Sequence, residues 1–108
     1  MSTVDVREFQ KLDLRLGKVV NAEKVPTKSK ICRLQIDIGD EVIQTIAGGG
    51  EYYEPEYFVG RTLVVLVNLQ PKVIGGIVSK GMLLAGDAQG KPVWLTVEEE
   101  IPAGTKVR

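Results

Sequence analysis

The sequence predicts an all-β fold, a small barrel or sandwich built from five or six short strands. Several stretches alternate apolar and polar residues with the period of a half-buried strand, and turn signals rich in glycine and proline separate them. Only one stretch has helical spacing. The chain has 108 residues, 44% of them hydrophobic, and can bury about 65% of its unfolded surface. We therefore expect a single domain over residues 1–108 that folds without disulfides or metal.

The N-terminal part of the chain predicts one helix and one strand. Residues from about Val4 to Lys11 place apolar side chains at mixed three- and four-residue spacing, as in a short amphipathic helix with Thr3 as its cap. Leu12–Val20 alternates almost strictly and predicts a strand. Gly17 interrupts this strand where a closed barrel needs a bend or bulge, and Pro26 marks its end.

The next two strands are predicted to form a hairpin. Ile31–Ile38 alternates so that its apolar residues share one face, Gly39-Asp40 is a turn signal, and Val42–Ile46 is the returning strand. Three glycines follow at 48–50. Their spacing is not that of a nucleotide-binding loop, so we expect close backbone passage at a barrel corner. Glu51–Phe58 predicts a short helical or turn element.

The C-terminal half completes the predicted barrel. Thr62–Val67 is a continuous β-branched run, which indicates a central strand buried on both faces. Asn68–Gly76 is predicted as a loop, Ile77–Leu84 and Val93–Val97 as strands, and Ile101–Arg108 as a tail that contains a turn. A five-stranded oligonucleotide-binding (OB) barrel fits this length best, because a sandwich of the same length normally has more strands.

The absence of histidine excludes Ser-His-Asp and Cys-His catalysis and removes the commonest metal ligand. With a single cysteine, a zinc site of nitrogen and sulfur ligands is not possible either. We therefore expect a protein that is not an enzyme and uses no cofactor. The carboxylate clusters at 51–56 and 98–100 lack the spacing of a calcium loop and are expected to be solvated surface.

Cysteine usage and hydropathy predict a cytoplasmic protein. Cys32 has no partner for an internal disulfide, which fits a reducing compartment, and its expected role is burial within a strand. No apolar run approaches the ~20 residues of a membrane-spanning helix. Met1–Glu8 carries charges where a secretory leader needs an apolar core. We expect no leader and no membrane partner.

The formal net charge is zero, but the charges are segregated along the chain. Lys11–Arg33 carries seven basic and two acidic residues, Asp37–Glu56 carries six acidic and no basic residues, and Arg61–Lys91 carries four basic residues and one acid. Such a chain can present a basic face to a nucleic acid. The alternative is that these charges are solvated and average out over the surface.

Two neighbouring segments carry donors that suit phosphate and sugar oxygens. Asn68 and Lys72 lie in one predicted loop, and Ser79 and Lys80 lie at the start of the strand that follows. In a barrel these amide, hydroxyl and ammonium groups come close together. The alternative is a polar loop followed by an ordinary core strand.

Six segments form a specific combination, although none is specific alone. They are Leu12-Asp13-Leu14-Arg15-Leu16-Gly17-Lys18-Val19-Val20, Ala47-Gly48-Gly49, Tyr53-Glu54-Pro55-Glu56 with Val59-Gly60-Arg61, Asn68-Leu69-Gln70-Pro71-Lys72, Ser79-Lys80-Gly81-Met82-Leu83-Leu84-Ala85, and Ile101-Pro102-Ala103-Gly104-Thr105-Lys106-Val107. Together they resemble the tRNA-binding domain family, which includes the C-terminal domain of many methionyl-tRNA synthetases and free-standing tRNA-binding proteins. The resemblance covers nearly the whole chain.

This resemblance implies an OB barrel with a C-terminal extension that helps to build a symmetric dimer. It also implies binding of tRNA by its shape, around the elbow, with little reading of sequence. The positions that match the family's binding pattern are Lys30, Asn68, Lys72, Ser79 and Met82. We add three residues for their charge and their proximity in sequence to those positions, namely Lys28, Arg33 and Lys80.

The sequence departs from the family pattern near these positions. Relatives often have Asn-Ala-Asp-Lys where this chain has Thr27-Lys28-Ser29-Lys30, and the loss of the acid favours RNA binding. Relatives often have Lys-Pro-Arg where this chain has Gln70-Pro71-Lys72, so one cation is missing. Lys80 replaces a common acid and partly offsets that loss.

The predicted function is structure-specific tRNA binding by a non-catalytic homodimer that assists a methionyl-tRNA synthetase in trans. The apolar residues between Val93 and Val107 are expected to be buried against the partner subunit. The main alternative is an export-related chaperone of the CsaA type, which shares the fold and binds unfolded polypeptide. A purely structural dimerisation unit and an enzyme are the remaining alternatives.

Overall fold

The computed structural model describes residues 1–26 and 28–108. In chain order the elements are helix α1 (Val6–Gln10), strands β1 (Leu14–Val25), β2 (Lys28–Asp37) and β3 (Val42–Ala47), helix α2 (Pro55–Phe58), and strands β4 (Thr62–Leu66), β5 (Lys72–Ile74), β6 (Ile77–Ser79), β7 (Met82–Leu83), β8 (Ala85–Ala88), β9 (Lys91–Trp94) and β10 (Lys106–Val107). The predicted all-β class is confirmed.

The main sheet is antiparallel and has the order β3-β2-β1-β4-β7, with β10 also paired to β1. Helix α2 lies between β3 and β4, so this path of five strands is the OB-like arrangement that the sequence predicts. Strands β5 and β6 form one separate hairpin, and β8 and β9 form another.

The two ends of this sheet are joined by single hydrogen bonds, and no strand ladder between β3 and β7 closes the barrel in the described part of the chain. The Lys80 N–H donates to the Gln44 carbonyl at 2.8 Å, and the Ile46 N–H donates to Ser79 Oγ at 2.9 Å. The Thr45 hydroxyl donates to the Lys80 carbonyl at 2.5 Å. The expected closed barrel is therefore an open sheet whose ends are held together by residues 79 and 80.

The interior of the sheet is the main hydrophobic core, and the alternation of β2 fills it as predicted. Cys32, Leu34 and Ile36 are each at most 1% exposed, and Phe58 of α2 packs against them. Burial raises the pKa of the Cys32 thiol, so this cysteine is an inert core residue.

Gly17 is required for close packing in this core and does not form the predicted bulge. It pairs regularly with Leu63, and a Cβ at this position would lie 2.5 Å from Ile36 Cγ2 and 2.9 Å from Val65 Cγ2. The β1–β2 register shifts instead between Val19 and Asn21 and again between Lys24 and Val25. The irregularities of β1 thus lie on the C-terminal side of Gly17.

A second, smaller core covers the opposite face of β1 and β4. Leu14, Leu16, Val64 and Leu66 are buried there. They are covered by four residues that follow β7, namely Leu84, Val97, Ile101 and Val107. This second core explains why β4 is buried on both faces, as its β-branched run predicts. The C-terminal extension therefore packs on its own chain.

Helix α1 is shorter than predicted, and Asp5 caps it in place of Thr3. The Arg7 N–H donates to Asp5 Oδ1 at 2.7 Å, which satisfies one of the free amide groups of the first turn. No residue of the helix is buried, and the Val6 side chain is 64% exposed. No helix in the described part of the chain has the length and apolar character needed to cross a membrane.

Glycines at positive φ divide the C-terminal half more finely than the sequence predicts. Gly81 has φ +73 and breaks the predicted strand Ile77–Leu84 into β6 and β7. The predicted loop Asn68–Gly76 contains β5, which pairs with β6. The hairpin of β8 and β9 was missed. It turns through Gln89 (φ 54) and Gly90 (φ 93), where the sequence predicted only a strand at Val93–Val97.

The run of three glycines forms a close backbone contact, as expected. Gly49 has φ +80, and a Cβ there would lie 2.7 Å from Pro92 Cγ. The Gly50 N–H donates to the Lys30 carbonyl at 2.9 Å. The glycine run therefore anchors the acidic segment that follows it to the start of β2.

Candidate nucleic-acid interface

The tip of the β5–β6 hairpin lies against the end of β1 and the start of β2. A Cβ on Gly75 would lie 3.4 Å from Lys28 Cγ, 3.3 Å from Ile31 Cδ1 and 3.9 Å from Val25 Cγ1. In OB-folds the face of the second and third strands and the loops beside it bind oligonucleotides. We call the five predicted cations on β2, on β5 and directly after β6 the basic face: Lys28, Lys30, Arg33, Lys72 and Lys80.

Three of these cations have no acidic partner in the described residues. Lys28, Lys72 and Lys80 are exposed, and no carboxylate lies within ion-pairing distance of their ammonium groups. Lys72 is paired in register with Ser79, which contacts β3 through the Ile46 N–H. The fold thus brings together cations that are up to 52 positions apart in sequence.

The other two cations of the basic face are each paired with a carboxylate. Lys30 Nζ lies 3.8 Å from Glu51 Oε2, and the Lys30 side chain is 78% exposed. The Arg33 guanidinium donates to the carboxylate of Glu23, its partner in the β1–β2 register. A phosphate that approaches either residue competes with that carboxylate.

A sixth cation, Lys24, lies beside the basic face and was not predicted from the sequence. Its Nζ lies 3.0 Å from Glu54 Oε2, and this contact raises the pKa of Lys24. Lys24 is paired in register with Cys32 on β2, between Lys30 and Arg33. The sequence feature that could have indicated Lys24 is its position within the basic segment Lys11–Arg33.

Two predicted RNA-binding residues are instead engaged with the backbone. Asn68 Oδ1 accepts from the Asp13 N–H at 2.8 Å, and Asn68 Nδ2 donates to the Lys11 carbonyl at 2.7 Å. Ser79 is 5% exposed, and its Oγ accepts from the Ile46 N–H. Both side chains hold the segment that carries Lys72 and Lys80, so we treat them as positioning residues.

Met82 lies in an apolar groove. This open groove has a volume of about 580 Å³, and Met82 is 45% exposed in it. The groove is lined without any charged residue by Ile46, Ala47, Gly48, Met82, Leu83, Leu84, Ala85, Pro92, Trp94 and Leu95. It occupies the gap where β3 and β7 do not pair.

The outward face of β2 and β3 adds amide groups that the sequence analysis did not single out. Gln35 and Gln44 are register partners, and Gln35 Nε2 donates to Gln44 Oε1 at 3.3 Å. Together with Lys80 and Glu41 they line a cleft of about 230 Å³. The alternation of apolar and polar residues in β2 places Gln35 on the outer face, and this pattern could have indicated it as a surface residue.

A separate ionic network lies at the other end of β1. Asp13 accepts from Arg15 at 2.9 Å and from Lys106 at 3.3 Å, and the hydrogen bond from Arg15 chiefly lowers the Asp13 pKa. Arg15 Nη1 also lies 3.0 Å from Asp40 Oδ1. These cations join β10 and the β2–β3 turn to β1.

The described residues contain no group of three or more side chains able to hold a metal ion. The chemistry that the basic face offers is electrostatic, with ammonium groups and side-chain amides arranged beside a sheet. Such an arrangement suits a polyanion whose charges are spaced along a backbone.

Comparison with known proteins places these features in a family. The family model described as "Putative tRNA binding domain" matches residues 14–106. The chain is 47% identical to a methionine–tRNA ligase of Archaeoglobus fulgidus over 104 residues, which is 96% of this chain and 16% of that protein. It is 46% identical to the enzyme of Thermotoga maritima over 106 residues, 98% of this chain and 17% of that protein. The chain thus spans about a sixth of the length of these relatives.

Two solved structures have the same fold over the whole chain. A MetRS related protein from Pyrococcus horikoshii has a TM-score of 0.94 at 35% identity, with 100% of both chains covered. The chaperone CsaA from Bacillus anthracis has a TM-score of 0.90 at 35% identity, with 99% of this chain and 100% of that chain covered. From the sequence motifs, the OB-like sheet and the family match, the chain belongs to the tRNA-binding domain family.

Proposed function

We propose that the chain binds tRNA in a structure-specific manner through the basic face, as a non-catalytic module. The observation that carries this proposal is the placement of Lys28, Lys72 and Lys80, three exposed cations without acidic partners among the described residues, on or next to β2 and the β5–β6 hairpin, whose tip reaches Lys28. Phosphate contacts from these residues would position the RNA, and the shape of the surface would select its bent form.

Base stacking is expected to contribute little to this binding. Four of the six aromatic residues are packed against one another, with the Tyr53 and Tyr57 ring centroids 4.6 Å apart and Phe58 and Trp94 beside them. The Arg61 guanidinium already covers the Tyr57 ring at 3.7 Å. A stacking platform needs free ring faces among the cations, and this cluster lies in the acidic segment.

We further propose that the protein acts as a homodimer. Apolar side chains are exposed on α1 and on the β8–β9 hairpin, with Phe9 41%, Val93 49% and Leu95 43% exposed. The extension from Val93 to Val107 contributes less to this surface than the sequence predicted, because several of its apolar residues pack in the second core. A second copy seated on the exposed residues would remove them from water.

The proposed role is to assist a methionyl-tRNA synthetase in trans, within the cytoplasm. The relatives carry this module as about a sixth of a methionine–tRNA ligase chain. A separate module with modest affinity contributes when it holds tRNA near a second binding site, because it raises the effective concentration of tRNA at that site. This chain would supply that service to a synthetase without such a module.

The second candidate is a chaperone that binds unfolded polypeptide. The observation in its favour is the apolar groove around Met82, which is open and lacks charge. The likeness to CsaA agrees with it. This function requires apolar peptide binding that survives high salt, whereas tRNA binding through lysines weakens as salt rises.

The test is fluorescence anisotropy of labelled tRNA titrated with the protein at several salt concentrations, with an equal-length duplex RNA as competitor. We expect binding that prefers tRNA and falls with salt. Lys72→Ala should weaken it several-fold and reduce the log–log salt slope by about one. Arg108→Ala is the matched control, because Arg108 is exposed at the far end of β1 from Lys28. No binding at low salt would contradict the proposal and favour the chaperone.

A further inference from the structure

Lys24 on β1 and Lys30 on β2 differ from the cations on the β5–β6 side in one respect. Lys24 lies 3.0 Å from Glu54, and Lys30 lies 3.8 Å from Glu51, whereas Lys72 and Lys80 have no such partner among the described residues. The surface is therefore divided into cations that are open and cations that are already neutralised.

Both neutralising acids come from the acidic segment Asp37–Glu56, and the fold fixes their position. The Gly50 N–H donates to the Lys30 carbonyl at 2.9 Å. This hydrogen bond holds the next residue, Glu51, beside Lys30. The Pro55 at the start of α2 then holds Glu54 at the N-cap of that helix, facing Lys24. The placement of the carboxylates is thus built into the backbone.

We propose that Glu51 and Glu54 restrain polyanion binding by occupying Lys30 and Lys24, and thereby act as specificity-determining residues. This inference rests on the proposed RNA-binding function. A phosphate that approaches Lys30 or Lys24 competes with a carboxylate and is repelled by it. Only an RNA that fits the whole surface, and gains contacts at the open lysines at the same time, offsets that cost.

The exposure of these pairs makes the exchange feasible. The Lys24 and Glu54 side chains are 51% and 67% exposed, and those of Lys30 and Glu51 are 78% and 46% exposed. Ion pairs at such exposed positions are weak, so a well-placed phosphate can replace the carboxylate. A buried pair would have closed these positions permanently.

The experiment compares the wild-type protein with Glu51→Gln, Glu54→Gln and the double variant. Labelled tRNA and an equal-length duplex RNA are titrated by anisotropy over a range of salt. We expect the double variant to bind the duplex about threefold more tightly at low salt, with a salt slope steeper by one to two displaced ions, roughly one for each released lysine. The preference for tRNA over the duplex should fall.

Two controls separate this effect from net charge and from unfolding. Glu99→Gln removes the same charge from an exposed residue of the C-terminal extension that forms no ion pair in the described part of the chain, and it should leave both affinities unchanged. In a Lys30→Ala background, Glu51→Gln should lose its effect. Circular dichroism checks that each variant is folded.

The outcomes separate this inference from the proposed function. If the wild-type protein binds tRNA and folded double variants bind neither RNA more tightly, or gain equally for both, the inference is wrong and the function stands. If only the double variant binds RNA, the restraint is supported and tRNA binding by the natural protein is contradicted. If neither protein binds RNA at low salt, both are overturned.

Discussion

Asn68 Oδ1 accepts a hydrogen bond from the Asp13 N–H at 2.8 Å, which joins the end of β4 to the residue before β1. The same side chain donates to the Lys11 carbonyl at 2.7 Å. One amide therefore satisfies two backbone groups and fixes the start of the segment that carries Lys72 and Lys80.

Removal of the Asn68 side-chain amide should lower the stability of the fold and should not remove a direct contact with tRNA. Asn68→Ala loses both hydrogen bonds, and we expect the free energy of unfolding to fall by about 1–2 kcal/mol in urea denaturation. Gln70→Ala, at an exposed loop position, is the control and should change stability little. If Asn68→Ala kept its full stability and lost tRNA binding, Asn68 would be an RNA contact and not a positioning residue.

Acid should weaken the network around Asp13. Its pKa lies below the ordinary value of 3.8 because Arg15 and Lys106 stabilise the carboxylate in the folded state. The unfolded chain therefore binds this proton more readily, so the stabilisation is present above about pH 4 and is lost as pH falls through the lowered folded value. Asp13→Asn should be less stable at pH 7 and should lose less stability on acidification. Thermal unfolding from pH 7 to 2.5 measures both effects, and parallel profiles would contradict this account.

Gly17 should not tolerate even a methyl group. Gly17→Ala places a Cβ at 2.5 Å from Ile36 Cγ2, inside the main core, and we expect a loss of about 1–3 kcal/mol. Gly48→Ala is the matched control, since a Cβ there meets nothing within 4 Å. Urea denaturation of the two variants should separate them clearly, and equal stabilities would show that the core can relax around the added methyl group.

The proposed dimer should depend on exposed apolar residues and not on the whole extension. We expect Leu95→Lys combined with Phe9→Ser to give a folded monomer in sedimentation velocity, because both side chains are exposed in the single chain. Val20→Lys, another exposed apolar position, is the control. A dimer that persists in the first variant would contradict the proposed surface.

Deletion of the extension is expected to give a different result. Residues of the extension cover the second core, so truncation before Val97 would expose Leu16 and Leu66. We expect an insoluble or unfolded chain. A soluble truncated protein with native circular dichroism would show that the second core is dispensable.

The strands were predictable where their burial alternates or is complete. Leu34 and Ile36 alternate with polar residues, and Thr62–Leu66 is apolar because the main core and the second core bury both its faces. Ala85–Ala88 was missed because all four residues are exposed and no apolar pattern marks the strand. The positive φ of Gly81, which divides a strand, could not be predicted, because glycine adopts positive and negative φ with similar ease.

The cations of the basic face were predictable from charge, but their availability was not. Glu51 lies beside Lys30 and not beside Lys72. Local sequence does not specify where the Glu51 carboxylate lies in three dimensions, so it could not show which lysine is paired. Asn68 and Ser79 have polar side chains of the kind that contact RNA, but their oxygen atoms accept hydrogen bonds from backbone N–H groups. Direct contact of tRNA with any of the predicted residues stays a prediction.

The pairing of β10 with β1 bears on how the chain folds during synthesis. The Leu16 N–H donates to the Thr105 carbonyl at 2.9 Å, and Leu14 pairs with Val107, which lies 93 positions later in the chain. Contacts this distant in sequence close slowly. Until β10 has emerged from the ribosome, Leu14 and Leu16 remain open to water and to other nascent chains. The arrival of β10 thus determines when the second core becomes protected from aggregation.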